Sequence, residues 1–415
     1  MDNMAMKTLA DKIDGYKEEA VRLQTEMCKR PALGPENGGD GEVEKATFLK
    51  SYLSEIGFTD IRQYDAPDDR VASGHRPNLV ALLPGKLKSP RVWIMTHMDV
   101  VPPGDLVNWS GDPWTVRVDG DRVIGRGTED NQQGMVSSLL AARAFHDAGV
   151  TTNLSYGVIL CADEETGNEM GVRYLLDKHR ELFSKNDLII IPDAGDSKGT
   201  MIEVAEKSIV WLRFHTKGKQ THGSTPEKGV NAHRAASYLT TRLDTLYSRF
   251  RKKDALFDPP ISTFEPTRRE ANVPNINTIP GDDTFYLDCR ILPHYKVTDV
   301  LKYIRGLIKE TEKRFKVRIT MDSPQTEKAA PPTPANAPVA KAITRAVKSL
   351  RKRTPKTMGI GGGTVGKFFR DAGFYCAIWA TQDEVAHTAD EYCRISAMLA
   401  DAKVFAHIAL QDGDS

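Results

Sequence analysis

Five short stretches of this chain carry residue types that can hold a cation and act on water. The segment WIMTHMDVVPPGD places His97 and Asp99 two positions apart, just past an apolar run. On extended backbone such residues point the same way, so the Asp99 carboxylate can brace the His97 imidazole and select which ring nitrogen faces outward. By itself an HxD tripeptide is commonplace. Here it is followed by Asp130 in GRGTEDNQQG, Glu164 and Glu165 in CADEETG, Asp193 in IIIPDAGD and His387 in AHTADEY. The Glu164–Glu165 pair and Asp193 each close a nearly continuous apolar run, so a packed fold would gather their charges, and gathered carboxylates repel. Bound cations would remove that repulsion. Two imidazoles and three carboxylates, one of them bridging, would serve two ions; such a set without a thiolate suits Zn2+ and also admits Co2+ or Mn2+. Glu164 is then left over beside the metals. A carboxylate that does not ligate, next to a water acidified by cations, is placed to take a proton and return it to a leaving amine.

These residues need a scaffold that brings distant segments together. The apolar runs 79–83, 92–95, 156–162 and 188–191 read as buried strands of a sheet covered on both faces, with helical character over 132–148 and 169–178 between them. That alternation predicts an α/β catalytic domain with a mostly parallel central sheet, whose strand ends collect ligands. Upstream, Leu9, Ile13, Tyr16, Ala20, Leu23 and Met27 recur at steps of four and three, which predicts one amphipathic helix. After residue 206 the pattern changes to a strand at 209–215, a helix at 231–249, strands around 275–278 and 284–290, a helix at 297–314 and a strand at 317–321. The order β-α-β-β-α-β is that of a ferredoxin-like α+β sandwich. The proline-rich SPQTEKAAPPTPANAP then marks a linker, and a helix at 339–350, a strand at 374–380 and a helix at 395–410 resume the first style. The reading is a catalytic di-metal domain of 1–206 and 323–415, interrupted by an inserted domain of 207–322.

Charge excludes some roles. Lys+Arg 57 against Asp+Glu 56 leaves a net charge of +1 over 415 residues, without the bias of a nucleic-acid or anionic-membrane binder. The basic run 348–356 reads as a solvated helix end. Five scattered cysteines form neither a disulfide framework nor a thiolate metal site, and no apolar run is long enough to span a bilayer, so the expected location is cytoplasmic.

Two further segments bear on substrate. GIGGGT at 359–364 is a glycine-rich turn whose backbone amides, with Gly363 and the Thr364 hydroxyl, can cradle a carboxylate; GGGTVGK has its lysine in the wrong place for a nucleotide loop. KQTHGSTPEKG sets His222 in a Gly/Ser/Pro-rich loop. As an ordered set, THMDVVP, GRGTEDNQQG, ADEETG, KQTHGSTPEKGVNA, NTIPG, DCRILP, GGGT and AHTADEY resemble the di-zinc aminoacylase family that includes succinyl-diaminopimelate desuccinylase, acetylornithine deacetylase, glutamate carboxypeptidase and cytosolic dipeptidases. The resemblance implies that His97 and Asp193 hold one metal, Glu165 and His387 the other, that Asp130 bridges them, and that Glu164 is the base with Asp99 bracing His97. It also implies a cis peptide after Asp130, and a lid at 207–322 that makes a homodimer. In that dimer His222 would cross to the partner's site to stabilise an oxyanion, while Asn277 and Arg290 would grip substrate. Gln132 stands where many relatives carry lysine, and Glu129 is unusual at its position.

The expected activity is metal-dependent hydrolysis of an amide bond in a small N-acyl amino acid or short peptide with a free carboxylate. A deacylase of the desuccinylase type leads, with a carboxypeptidase or dipeptidase as the alternative. A non-catalytic binding protein on the same scaffold is disfavoured because Glu164 and every ligand are present.

Overall fold

The computed structural model describes residues 3–413. Two compact units make up the chain, one from Met1–Val204, Thr333–Thr357 and Phe368–Ser415, the other from Ala205–Pro332 and Met358–Lys367. The sequence boundary at 323 falls inside the strand Arg318–Glu327, and the glycine-rich turn groups with the second unit.

The first unit contains most of an eight-stranded sheet in the order Asp60–Pro67, His75–Leu83, Leu154–Cys161, Leu87–His97, Leu188–Asp196, Cys376–Thr381, Met201–Glu206, Lys356–Ile360. Its four central strands, from Leu154–Cys161 to Cys376–Thr381, run parallel, while the pairings flanking them are antiparallel. Every residue of Leu154–Cys161 is buried, as a strand covered on both faces requires. From Leu87–His97 the chain passes through the helix Gly134–Ala148 to the neighbour Leu154–Cys161, and later returns to the opposite neighbour, Leu188–Asp196. That reversal opens a crevice at the carboxyl ends of the strands, where open α/β sheets take their ligands. A three-stranded sheet of Arg117–Asp119, Arg122–Ile124 and Tyr392–Arg394 brings the segment before Asp130 against the segment after His387.

The expected single N-terminal helix is two, Asn3–Asp14 and Lys17–Cys28. Gly15, a poor helix former, sits at the break, where Gly15 N–H and Tyr16 N–H donate to the carbonyls of Lys12 and Ile13. The apolar positions keep their role, since Leu9, Ile13, Ala20, Leu23 and Met27 are all buried.

The second unit has a four-stranded antiparallel sheet in the order Thr263–Arg269, Asp282–Ile291, Ser208–Lys217, Arg318–Glu327. With the helices Ala232–Leu243 and Val297–Phe315 this is the β-α-β-β-α-β sandwich. Phe214 and Phe285 stack at 4.7 Å in its core, among Leu212, Leu239, Leu287 and Ile304. The second strand is Thr263–Arg269, however, and not the expected 275–278. Thr263–Arg269 is an edge strand with five exposed residues and a proline, so it lacks an apolar signature. Residues Thr278–Ile279 instead form a two-residue ribbon with Thr221–His222.

In the central sheet Trp93 lies opposite Gly157, and a Cβ there would fall 2.2 Å from the indole ring. Gly157→Ala is therefore expected to destabilise the protein by about 1–3 kcal/mol through overpacking. Urea denaturation should show a lower midpoint at unchanged slope; an unchanged midpoint would contradict this packing.

Candidate metal centre

Four parallel strands deliver four of the loops that meet here. His97 is the last residue of Leu87–His97, the Glu164–Glu165 pair follows Leu154–Cys161, Asp193 lies in Leu188–Asp196, and His387 follows Cys376–Thr381. Asp99 ties two of them together, because its Oδ1 accepts from Glu164 N–H (3.0 Å) and its Oδ2 from Glu165 N–H (2.9 Å). The His97 Nδ1 proton goes to Asp99, with the backbone carbonyl at 3.1 Å and the carboxylate at 3.4 Å. That fixes the tautomer and turns Nε2 toward the acids.

The second imidazole is arranged about the same carboxylate. Asp130 Oδ1 lies 3.0 Å from His97 Nε2 and its Oδ2 lies 3.0 Å from His387 Nε2, so the carboxylate spans the two rings. Asp193 Oδ1 is 3.3 Å from His97 Nε2, and Glu165 Oε2 is 3.4 Å from His387 Nε2. The peptide Asp130–Asn131 is cis. Asn131 Nδ2 donates to Asp193 Oδ1 (2.7 Å) and to the Pro192 carbonyl (2.9 Å). Ligand atoms of His97, Asp130 and Glu165 lie within 4.8 Å of one another, and so do those of His97, Glu164 and Asp193. Glu164 thus falls in coordinating range as well as beside it.

The residues fit a divalent cation. Glu165 Oε1 is buried with no hydrogen-bond partner among the described residues, which a positive ion would satisfy. Burial opposes a charge on His97, but Asp130, Asp193 and Asp99 outweigh it and raise the imidazole well above its ordinary value. Hydrogen bonds to Asp130 and Glu165 push His387 up to about 10. Burial, reinforced by Asp193 and other neighbouring acids, pushes Glu164 well above the usual carboxylate range; burial takes Glu165 to about 7.

The sequence reading missed several residues that hold this centre. Buried Glu391 accepts at Oε1 from Glu129 N–H (2.9 Å) and Asp130 N–H (3.0 Å), and at Oε2 from Gly127 N–H (3.1 Å) and Arg126 (2.5 Å). Lys45 is buried and donates from Nζ to the Met98 carbonyl (2.7 Å), between His97 and Asp99. Glu391 lies four residues past His387 in a motif that was in view; Lys45 sits on a helix with no motif at all.

The other five candidate residues belong to the second unit. His222 is exposed, with Nδ1 2.7 Å from Ser224 Oγ, and it pairs across the ribbon with Thr278. Asn277 accepts Gly223 N–H at its carbonyl (2.6 Å) and an Asn275 amide proton at Oδ1 (2.5 Å). Arg290 makes a two-pronged pair with Asp288 (2.8 and 3.0 Å), and its Nη1 donates to the Gly361 carbonyl (3.0 Å). In the glycine-rich turn, a Cβ on Gly363 would meet Glu327 Oε2 at 3.1 Å. The Thr364 N–H donates to Glu206 Oε1 (2.8 Å), as does its hydroxyl. Thr364 thus engages a carboxylate of the chain itself.

A sequence model of peptidase family M20/M25/M40 matches residues 93–411, a span that includes His97, Asp99, Asp130, Glu164, Glu165, Asp193 and His387. The chain belongs to that family. It is 37% identical over 407 residues, 94% of this chain and 98% of the relative, to an uncharacterized metallohydrolase of Methanocaldococcus jannaschii. It is 25% identical over 290 residues, 69% of this chain and 72% of the relative, to succinyl-diaminopimelate desuccinylase 2 of Shewanella loihica. Among solved structures, human carnosine dipeptidase 1 superposes with a TM-score of 0.73 at 17% identity, covering 98% of both chains, which establishes a shared fold. The chain is a metallohydrolase of the peptidase and desuccinylase type, with a site for divalent metal.

An imidazole must free a ring nitrogen to bind a cation, so loading has a predictable sign. The acids around His97 and His387 raise both imidazoles, so if they ligate the cation each must give up a proton as it binds. Apparent metal affinity should rise with pH, and calorimetric titration at pH 7 should give heats that depend on the buffer's protonation enthalpy. Buffer-independent heats would contradict it.

Proposed function

We propose that this protein hydrolyses the amide bond of a small N-acyl amino acid or short peptide with a free carboxylate, with two Zn2+ ions as its cofactors. The observation that carries the reading is the Asp130 carboxylate facing one imidazole with each oxygen, flanked by Asp193 on one side and Glu165 on the other. His97 and Asp193 would hold one ion, Glu165 and His387 the second, and Asp130 both. Ions held there supply Lewis-acid polarisation of the scissile carbonyl and make water a better proton donor. Glu164 takes the proton of the attacking water at its carboxylate and returns it to the leaving nitrogen. Asp99 keeps His97 in the required tautomer.

The second unit would supply substrate recognition. Arg290, Asn277 and the turn of Gly363 and Thr364 contact the substrate's polar groups, and a substrate carboxylate entering there competes with Asp288 and Glu206 for donors already engaged. His222 stabilises the oxyanion from the partner subunit of a homodimer built through this unit. A deacylase of the desuccinylase type is favoured by the relative of that name. Peptidase action is the second reading, favoured by the dipeptidase fold likeness. No helix among the described residues is long and apolar enough to cross a membrane, and a cytoplasmic location fits the scattered cysteines.

Turnover of N-succinyl and N-acetyl amino acids and of dipeptides, each with Zn2+, Co2+ and Mn2+, tests the assignment; failure of all three classes would sink it. Glu164→Gln should retain bound metal and lose about 100-fold or more in turnover, because an amide cannot accept the proton. Activity within a few-fold of the parent would place the base elsewhere.

A further inference from the structure

His387 is the least protected group of the centre, with its side chain 53% exposed against 2% for His97. Its loop is also the least comfortable one. Glu384 (φ 59°), His387 (φ 63°) and Asp390 (φ 53°) all take left-handed backbone, which residues with a Cβ disfavour and which persists where surroundings over-determine it. Two buried acids outside the ligand set supply that determination. Glu129, from the Asp130 loop, reaches across and accepts Asp383 N–H at Oε1 (2.6 Å) and Val385 N–H at Oε2 (2.5 Å). Glu391, from the His387 loop, reaches the opposite way to the main-chain N–H groups of Gly127, Glu129 and Asp130. Each loop therefore offers a carboxylate to the other loop's amides.

We infer that Glu129 and Glu391 form a reciprocal latch that positions His387 against Asp130, and that Glu129 in particular sets the affinity of the cation subsite formed by Glu165 and His387. The inference rests on the metal-centre reading above. Its specificity comes from where each acid grips. Glu391 holds the backbone of Asp130, which faces both imidazoles, whereas Glu129 holds only the segment leading into His387. The two loops stay adjacent without Glu129, because Tyr392–Arg394 pairs with Arg122–Ile124 and Gly125 N–H donates to the Glu391 carbonyl (2.9 Å). Removing Glu129 then loosens one ligand without dismantling the fold. A glutamine cannot replace it, since both carboxylate oxygens accept N–H groups and a side-chain amide would present NH2 to one of them.

The test is calorimetric titration of metal-free protein with Zn2+, for the parent, Glu129→Gln, Glu391→Gln and His387→Ala. Glu129→Gln should weaken one binding step by about 10–100-fold, as loss of a ligand's support typically does, and leave the other within about threefold. The weakened step should be the one His387→Ala weakens, and the double variant should lose little more than His387→Ala alone. Glu391→Gln should weaken both steps. A general structural role would instead move both steps together in Glu129→Gln, and that result, or two steps matching the parent's, overturns the latch. If Glu129→Gln does not fold, Glu129→Asp, which keeps the charge one methylene short of the amides, is judged by the same criteria. A parent that takes up no Zn2+ overturns the metal reading and the latch with it, whereas two parental steps unmoved by Glu129→Gln overturn the latch alone.

Discussion

Repulsion among the carboxylates of Asp130, Glu164, Glu165 and Asp193 is the constraint on which the rest of this structure depends. Four parallel strands with apolar interiors end at one edge of the sheet, and their loops bring these acids within a few ångströms of one another. The strands are held by buried Val, Ile and Leu side chains that have nothing to do with the charges, so the sheet can carry the unfavourable electrostatics at its rim. Two imidazoles set between the acids relieve part of it. Divalent cations would relieve the remainder, which is why local instability and chemical competence occupy the same few residues.

One device recurs in how that rim is organised. Buried carboxylates outside the proposed ligand set accept main-chain N–H groups. Asp99 does so for Glu164 and Glu165, Glu391 for Asp130, Glu129 for the segment before His387, and Asp163 for Met170 N–H (2.9 Å). Charge-assisted bonds of this kind fix backbone and leave the ligand side chains free to face one another. Acids therefore play two roles here. Some confront each other at the centre, and others are neutralised by amides so that the first group is held in place.

The second unit follows a different logic. Its candidate substrate-binding donors are engaged by internal acids, Arg290 by Asp288 and Thr364 by Glu206. Its core is an ordinary one-sided sheet packed by two helices, with the stacked Phe214 and Phe285 at its middle.

What the sequence determined by itself are the features with local signals. Near-continuous apolar runs announced the central strands, and His97, Glu164, Glu165 and Asp193 were legible because each sits at the end of such a run. The edge strand Thr263–Arg269 was not legible, since an exposed strand with a proline has no apolar period to read. Nor was the break at Gly15, because the apolar spacing continues across it. Only the tertiary structure decided that Asp130 faces both imidazoles, that Asp99 accepts the amides of Glu164 and Glu165, and that Glu129 and Glu391 hold each other's loops. Those bonds join a side chain to the main chain of a residue as far as 264 positions away, as between Glu391 and Gly127. Every residue has a backbone N–H, so nothing in the one-dimensional order of side chains records which amide a buried carboxylate will meet.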